Sequence, residues 1–191
     1  MEKMLAFVDG SIYSESVCDH TLWMAQKNRS KVYVFNIIDG SETSYNTANF
    51  SGNLVAEARS TLLSELAELD NKKAKLAQKK GRLILDDAES RLTAGGLKNI
   101  ETHLRHGDFV NTVTEFQEDA DILIIGKRGE AANFAKLHLG SNLERLIRSA
   151  NKPVLVTARN FRPIEKILIG FDGGKSAVRA IEYVSNHALF K

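Results

Sequence analysis

Short apolar runs rich in β-branched residues alternate along the chain with stretches of helical pattern. The runs are Met4 to Val8, Val32 to Ile38, Ile100 to Leu104, Ile122 to Ile125 and Val154 to Thr157. In most of them hydrophobicity is continuous instead of alternating, which suits parallel strands buried on both faces beneath helices. Between the first two runs, Val17, Leu22, Trp23 and Ala25 predict a helix over Tyr13 to Lys27, and Phe109, Val110, Val113 and Phe116 predict another before Asp119. This is the rhythm of βαβ units, and the fold class is α/β.

Residues 53 to 94 depart from that rhythm. They form a proline-free stretch of Ala, Leu, Glu, Lys and Arg that reads as helix. Unbroken, it would reach ~63 Å, longer than the sheet, so it must break near Gly81 or project as an arm. Leu62, Leu69, Leu76 and Leu83 recur every seven residues. The other seam of such a heptad, Leu66 then Lys73 and Lys80, is mostly charged, which argues against a long zipper. The expectation is therefore a helical hairpin whose leucines pack on their own chain or in a short contact with a dimer mate.

An internal echo follows. Leu5-Ala6-Phe7-Val8-Asp9-Gly10-Ser11 is matched by Leu168-Ile169-Gly170-Phe171-Asp172-Gly173-Gly174, and a Ser-containing amphipathic stretch follows each. The organisation expected is a main domain over 1–160 with a helical insertion at 53–94, a linker at 161–165, and over 166–191 the first strand and helix of an incomplete second copy.

Composition narrows the classes. The chain has 191 residues, a formal net charge of +2, 43% hydrophobic and 7% aromatic residues. Such a balance gives no basic footprint for nucleic acid, and no stretch approaches the ~20 apolar residues of a membrane span. The start of the sequence passes directly into a strand-like run without an apolar leader, so a cytoplasmic protein is expected. A single cysteine, Cys18, allows no internal disulfide.

The strongest chemical signal follows the fourth run: Gly126-Lys127-Arg128-Gly129, ten residues, then Gly140-Ser141 leading into a helical pattern. Glycines let backbone amides approach an anion, and the first amides of a helix receive phosphate. From Gly126 to Lys152 six basic residues stand against two acidic ones, which favours a polyphosphate. Equally, Gly126 and Gly129 could simply turn the chain while Ser141 caps a helix. Neither a Walker A loop nor a Gly-x-Gly-x-x-Gly fingerprint is present. Asp9 and Asp172 each follow a strand at the carboxyl edge, where open α/β sheets bind ligands. Such an aspartate accepts hydrogen bonds from a ribose or purine, or caps the next helix with Ser11. His103 and His106 point to opposite faces of a strand and make a poor metal pair, so no metal ligand is assigned. Ser141 has no recognisable His/Asp partners, and no catalytic residue is assigned.

Taken together, these residues resemble the universal stress protein family. The likeness rests on Val8-Asp9-Gly10-Ser11 with Ser14, Asn36-Ile37-Ile38-Asp39, Arg105-His106-Gly107-Asp108, Asp119 to Gly126, and Gly140-Ser141 with Asn151-Lys152-Pro153-Val154. It implies a five-stranded parallel sheet of order 3-2-1-4-5 with helices on both faces, the adenine nucleotide alpha hydrolase-like fold, here with a long helical insertion. It also implies dimerisation through the last strand, for which the repeat at 166–191 is a second route. In ATP-binding members the first-strand aspartate and the end of the second strand hold adenosine, and Gly-x2-Gly-x9-Gly-Ser/Thr holds the phosphates. Those positions map to Asp9, Ile37, Gly126, Gly129, Gly140 and Ser141, with ten residues instead of nine in the second gap. The implied ligand is ATP, with Mg, held by a sensor or scaffold in a stress response. An interaction scaffold that takes an apolar molecule or no ligand, and a slow ATPase or self-phosphorylating protein, are the other readings.

Overall fold

A computed structural model of the chain describes residues 2–28, 30–39, 56–129 and 141–187. Strands β1 (Lys3–Phe7), β2 (Lys31–Ile38), β3 (Ile100–His106), β4 (Ile122–Gly126) and β5 (Val154–Thr157) form one sheet of order β3-β2-β1-β4-β5. Every neighbouring pair is parallel, with Met4 level with Val32 and with Ile122 at the centre. The helices are α1 (Ser14–Asn28), α2 (Ala56–Ala94), α3 (Phe109–Gln117), α4 (Ser141–Ser149) and α5 (Lys175–Asn186). The five predicted strands are present within a residue or two, and the α/β architecture is as expected.

Side chains alternate across the sheet into two apolar layers. Met4, Ala6, Val34 and Ile124 face α1 and α2, where Val17, Met24, Leu85 and Leu92 cover them. Leu5, Phe7, Phe35 and Leu123 face α3 and α4, where Phe109, Val113, Leu143 and Leu146 complete the layer. Phe7 links two rings of that second layer, 5.6 Å from Phe35 and 5.4 Å, edge to face, from Phe109. The central strands are apolar on both sides because both layers need them. Edge strand β3 is the exception, and its Ile100-Glu101-Thr102-His103-Leu104 reads accordingly.

The hairpin expected at Gly81 does not form: α2 is a single helix of 39 residues. The reason lies in packing. Gly81 is where α2 crosses the sheet, and a Cβ there would meet Leu104 Cδ1 at 2.5 Å and Asn36 Oδ1 at 2.7 Å. The glycine permits close approach of helix to sheet instead of breaking the helix. Below it Leu85, Ala88 and Leu92 are buried against the sheet, while Leu69, Leu76 and Leu83 are exposed. The 25 residues of α2 that precede Gly81, roughly 37 Å of helix, lead away toward the carboxyl edge of the sheet and beyond it. Arg91 binds the lower half to α1 through a bidentate pair with Asp19, at 2.7 and 2.9 Å.

Residues 166–171, expected as a strand, carry no regular secondary structure. A strand needs a neighbour to accept its ladder of hydrogen bonds, and among the described residues no strand pairs with this segment. Helix α5 follows it as expected, and His187 just beyond that helix pairs with Glu2 at 3.0 Å.

Candidate functional site

The chain leaves β1 through Val8 into a turn at Asp9-Gly10-Ser11 before α1 begins. Val8 is pinned to β2 on both sides of its peptide: its N–H donates to Phe35 O at 2.9 Å, and its carbonyl accepts from Asn36 Nδ2 at 2.8 Å. Gly10 adopts φ +77°, a left-handed conformation that favours glycine, and Ile84 of α2 crowds the position a side chain would take. The turn is held from within. Asp9 Oδ1 accepts from the Ser11 N–H at 3.0 Å and from the Ser14 hydroxyl at 3.3 Å, while Ser14 Oγ accepts from the N–H groups of Asp9 and Gly10. Asp9 and Ser14 thus act together, the serine satisfying two amides of the turn that leads into α1.

Strand β4 delivers the glycine segment to the same edge. Gly126 is buried, and a Cβ on it would stand 2.7 Å from that of Tyr13. Lys127 N–H donates to Thr157 O at 3.0 Å, which ties the segment to β5. Gly129 then reaches across to Asp9: a Cβ on Gly129 would lie 2.9 Å from Asp9 Oδ2. Ile37, near the carboxyl end of β2, is half-buried against the second apolar layer. The structure brings Asp9, Gly126 and Gly129 to one edge and sets Ile37 on the neighbouring strand. Gly140 lies outside the described residues. Ser141 begins α4, and its side chain lies outside them too.

Other polar groups in the quoted motifs hold the frame. Asp108 caps α3, accepting from Asn111 N–H at 3.0 Å, and its other oxygen accepts from Arg145 of α4 at 2.6 Å. The Asn111 amide first, then Arg145, holds its carboxyl below the usual carboxylate range. His103 stacks on Phe35, 4.8 Å between rings, and burial together with Arg105 keeps it below its ordinary value. Asp172 turns back on its own chain, accepting from Gly174 N–H at 2.7 Å, in a segment apart from any described strand. Cys18 is buried between α1 and α2, and that burial pushes its thiol up to about 12.

The sequence reading left out a groove of about 590 Å³ between the start of α1 and the middle of α2. Gly10, Ser11 and Ser14 border it on one side, with Leu76, Lys80 and Leu83 on the other. Its existence depends on α2 running straight past the sheet, which the hairpin expectation excluded.

The family model for the universal stress protein family matches residues 1–158. Universal stress protein Slr1230 of Synechocystis is 32% identical over 190 residues, 99% of this chain and 66% of that protein, so the chain spans about two thirds of this relative's length. Among solved structures, a universal stress protein of Archaeoglobus fulgidus superposes with TM-score 0.59 at 21% identity, covering 95% of this chain and 60% of that one. Another from Archaeoglobus fulgidus, in complex with dAMP, has TM-score 0.51 at 20% identity and covers 82% of this chain and 97% of that one. With the five-stranded order, the aspartate turn and the glycine segment in place, the match over 1–158 makes this chain a member of the universal stress protein family.

Proposed function

We propose that this chain binds an adenine nucleotide, ATP with Mg, at the carboxyl edge of the sheet, and works as a nucleotide-responsive stress module instead of a fast enzyme. The observation that carries the reading is the meeting of Asp9 with Gly129. A carboxylate suited to ribose or purine hydroxyl and amino donors stands beside a glycine whose Cβ, were there one, would come 2.9 Å from it. Lys127 and Arg128 lie between the two glycines and supply positive charge for phosphates. The dAMP complex of the Archaeoglobus relative, which shares this fold, supports the same ligand class. Asp9, Ile37, Gly126, Gly129, Gly140 and Ser141 are the residues of the proposed site, and a cytoplasmic setting suits the lone reduced thiol.

Thermal unfolding with and without ATP-Mg tests it. A ligand at a hundred times its dissociation constant adds ~2.7 kcal/mol to stability. A rise in melting temperature at millimolar ATP is the expected result, and no rise overturns the nucleotide reading. A scaffold that acts without nucleotide then stands, favoured by the exposed leucines of α2.

A further inference from the structure

We infer that the projecting half of α2 is a self-association arm, pairing antiparallel with the same helix of a second copy of this chain. Two independent features of the helix point there. The first is the direction of its leucine stripe. Gly81, Leu85, Ala88 and Leu92 mark the face turned to the sheet. Leu83 precedes Leu85 by two residues and so sits about 200° round the helix, with Leu76 and Leu69 in line with it at heptad spacing. These three leucines, 59%, 66% and 48% exposed, face away from their own sheet. An apolar stripe of period seven is what a second helix covers in a two-stranded coil.

The second feature selects the occupant. Charge along the arm is segregated: from residue 60 to 70 the charged residues are Glu65, Glu68 and Asp70, all acidic, whereas from 72 to 82 they are Lys72, Lys73, Lys75, Lys79, Lys80 and Arg82, all basic. A parallel mate would set like against like along the whole contact. An antiparallel mate, with the two-fold axis near Asn71 and Lys72, sets the acidic half of each helix against the basic half of the other. Lys73, which spoils the second seam of a parallel zipper, then comes level with Asp70 of the mate, and Lys75 with its Glu68. The pairing also lays the acidic part of the mate's helix along the groove that Leu76, Lys80 and Leu83 share with Gly10 and Ser14.

Sedimentation of the 191-residue chain at tens of micromolar should show a dimer that weakens as ionic strength rises. Leu69→Glu with Leu76→Glu should raise the dissociation constant by roughly a hundredfold or more, with the unfolding midpoint of the monomer unchanged, because both side chains stand clear of the core. A mixture of Glu65→Cys and Lys79→Cys proteins should cross-link under mild oxidation, each variant alone should not, and buried Cys18 stays out of the reaction. Removing residues 163–191 should leave the dimer in place. A monomer at all concentrations, a dimer that survives the double leucine substitution or disappears with residues 163–191, or cross-linking of each cysteine variant with itself in preference to the mixture would each overturn the proposal.

Discussion

Gly129 stands against Asp9, so close that a Cβ on the glycine would come 2.9 Å from Oδ2 of the aspartate. Two segments more than a hundred residues apart meet here because β1 and β4 are hydrogen-bonded neighbours, with Phe7 level with Ile125. Gly129→Val therefore places a branched side chain on the carboxylate. Gly129 is exposed, so the unliganded melting temperature should stay within about 2 °C of the original. Any rise produced by ATP-Mg should vanish. Retention of the full rise in the variant would show that nucleotide is held elsewhere.

Gly81 makes the opposite prediction from the one helix propensity suggests. An exposed glycine in mid-helix costs about 1 kcal/mol relative to alanine, so its replacement ordinarily stabilises. Here the added atom meets Leu104 and Asn36, and Asn36 in turn holds the Val8 carbonyl. Gly81→Val should lower stability by about 1–3 kcal/mol, measured by urea unfolding, because β-branching leaves the new methyls nowhere to turn.

This glycine also shows what a sequence can and cannot convey. The strands and both covered faces are readable because burial demands apolar runs, and Met4 to Val8 or Ile122 to Ile125 have no other use. The pairing of Asp9 with Gly129 follows from strand order, which a resemblance supplies and periodicity does not. Gly81 misleads because a glycine that breaks a helix and one that lets a helix touch a sheet look alike until Asn36 and Leu104 are in place. Lys166 to Phe171 misleads for a related reason: its composition is that of a strand, but pairing is a property of neighbours.

The two ends of α2 should respond differently to truncation. Leu92 is 0% exposed and packed among α1 and the sheet, so Leu92→Ala should cost about 2–5 kcal/mol. Leu69, on the projecting half, should change the unfolding free energy of the monomer by less than about 0.5 kcal/mol when cut to alanine. Equal losses at both positions, in unfolding at submicromolar protein, would mean that the arm belongs to the core.

Asp108 links α3 to α4 and should make their junction sensitive to acid. Its carboxyl is depressed by the Asn111 amide and by Arg145, so the folded protein binds that proton less readily than the unfolded chain. The stabilisation is complete above the ordinary aspartate value near 4 and is lost as pH falls through the lower folded value. Asp108→Ala should cost about 1 kcal/mol at neutral pH, as removal of a helix cap does. The difference between the two proteins should shrink as pH drops below about 4. A constant gap down to pH 2 would show that the cap and the Arg145 pair add nothing that titrates.

The segment after β5 should be dispensable for the sheet. Both apolar layers are built from residues up to Leu155, and none of the five strands draws on residues past Thr157. Beyond it the chain runs with Leu168 99% and Phe171 63% exposed, side chains that contribute little to folding while they remain in water. Helix α5 returns to the amino end of the sheet, where His187 meets Glu2 and Tyr183 is half-buried, its hydroxyl pushed up to about 12 chiefly by burial. Those contacts hold α5 to the domain without entering either layer. Deletion of residues 163–191 should therefore leave cooperative unfolding intact with a midpoint lowered by only a few degrees, and ATP-dependent stabilisation through Asp9 should persist. The deletion also removes Leu168 and Phe171, so binding of an apolar dye to the folded protein should fall. Loss of cooperative unfolding in the shortened chain would mean that α5 is part of the core and that the domain boundary near 160 is misplaced.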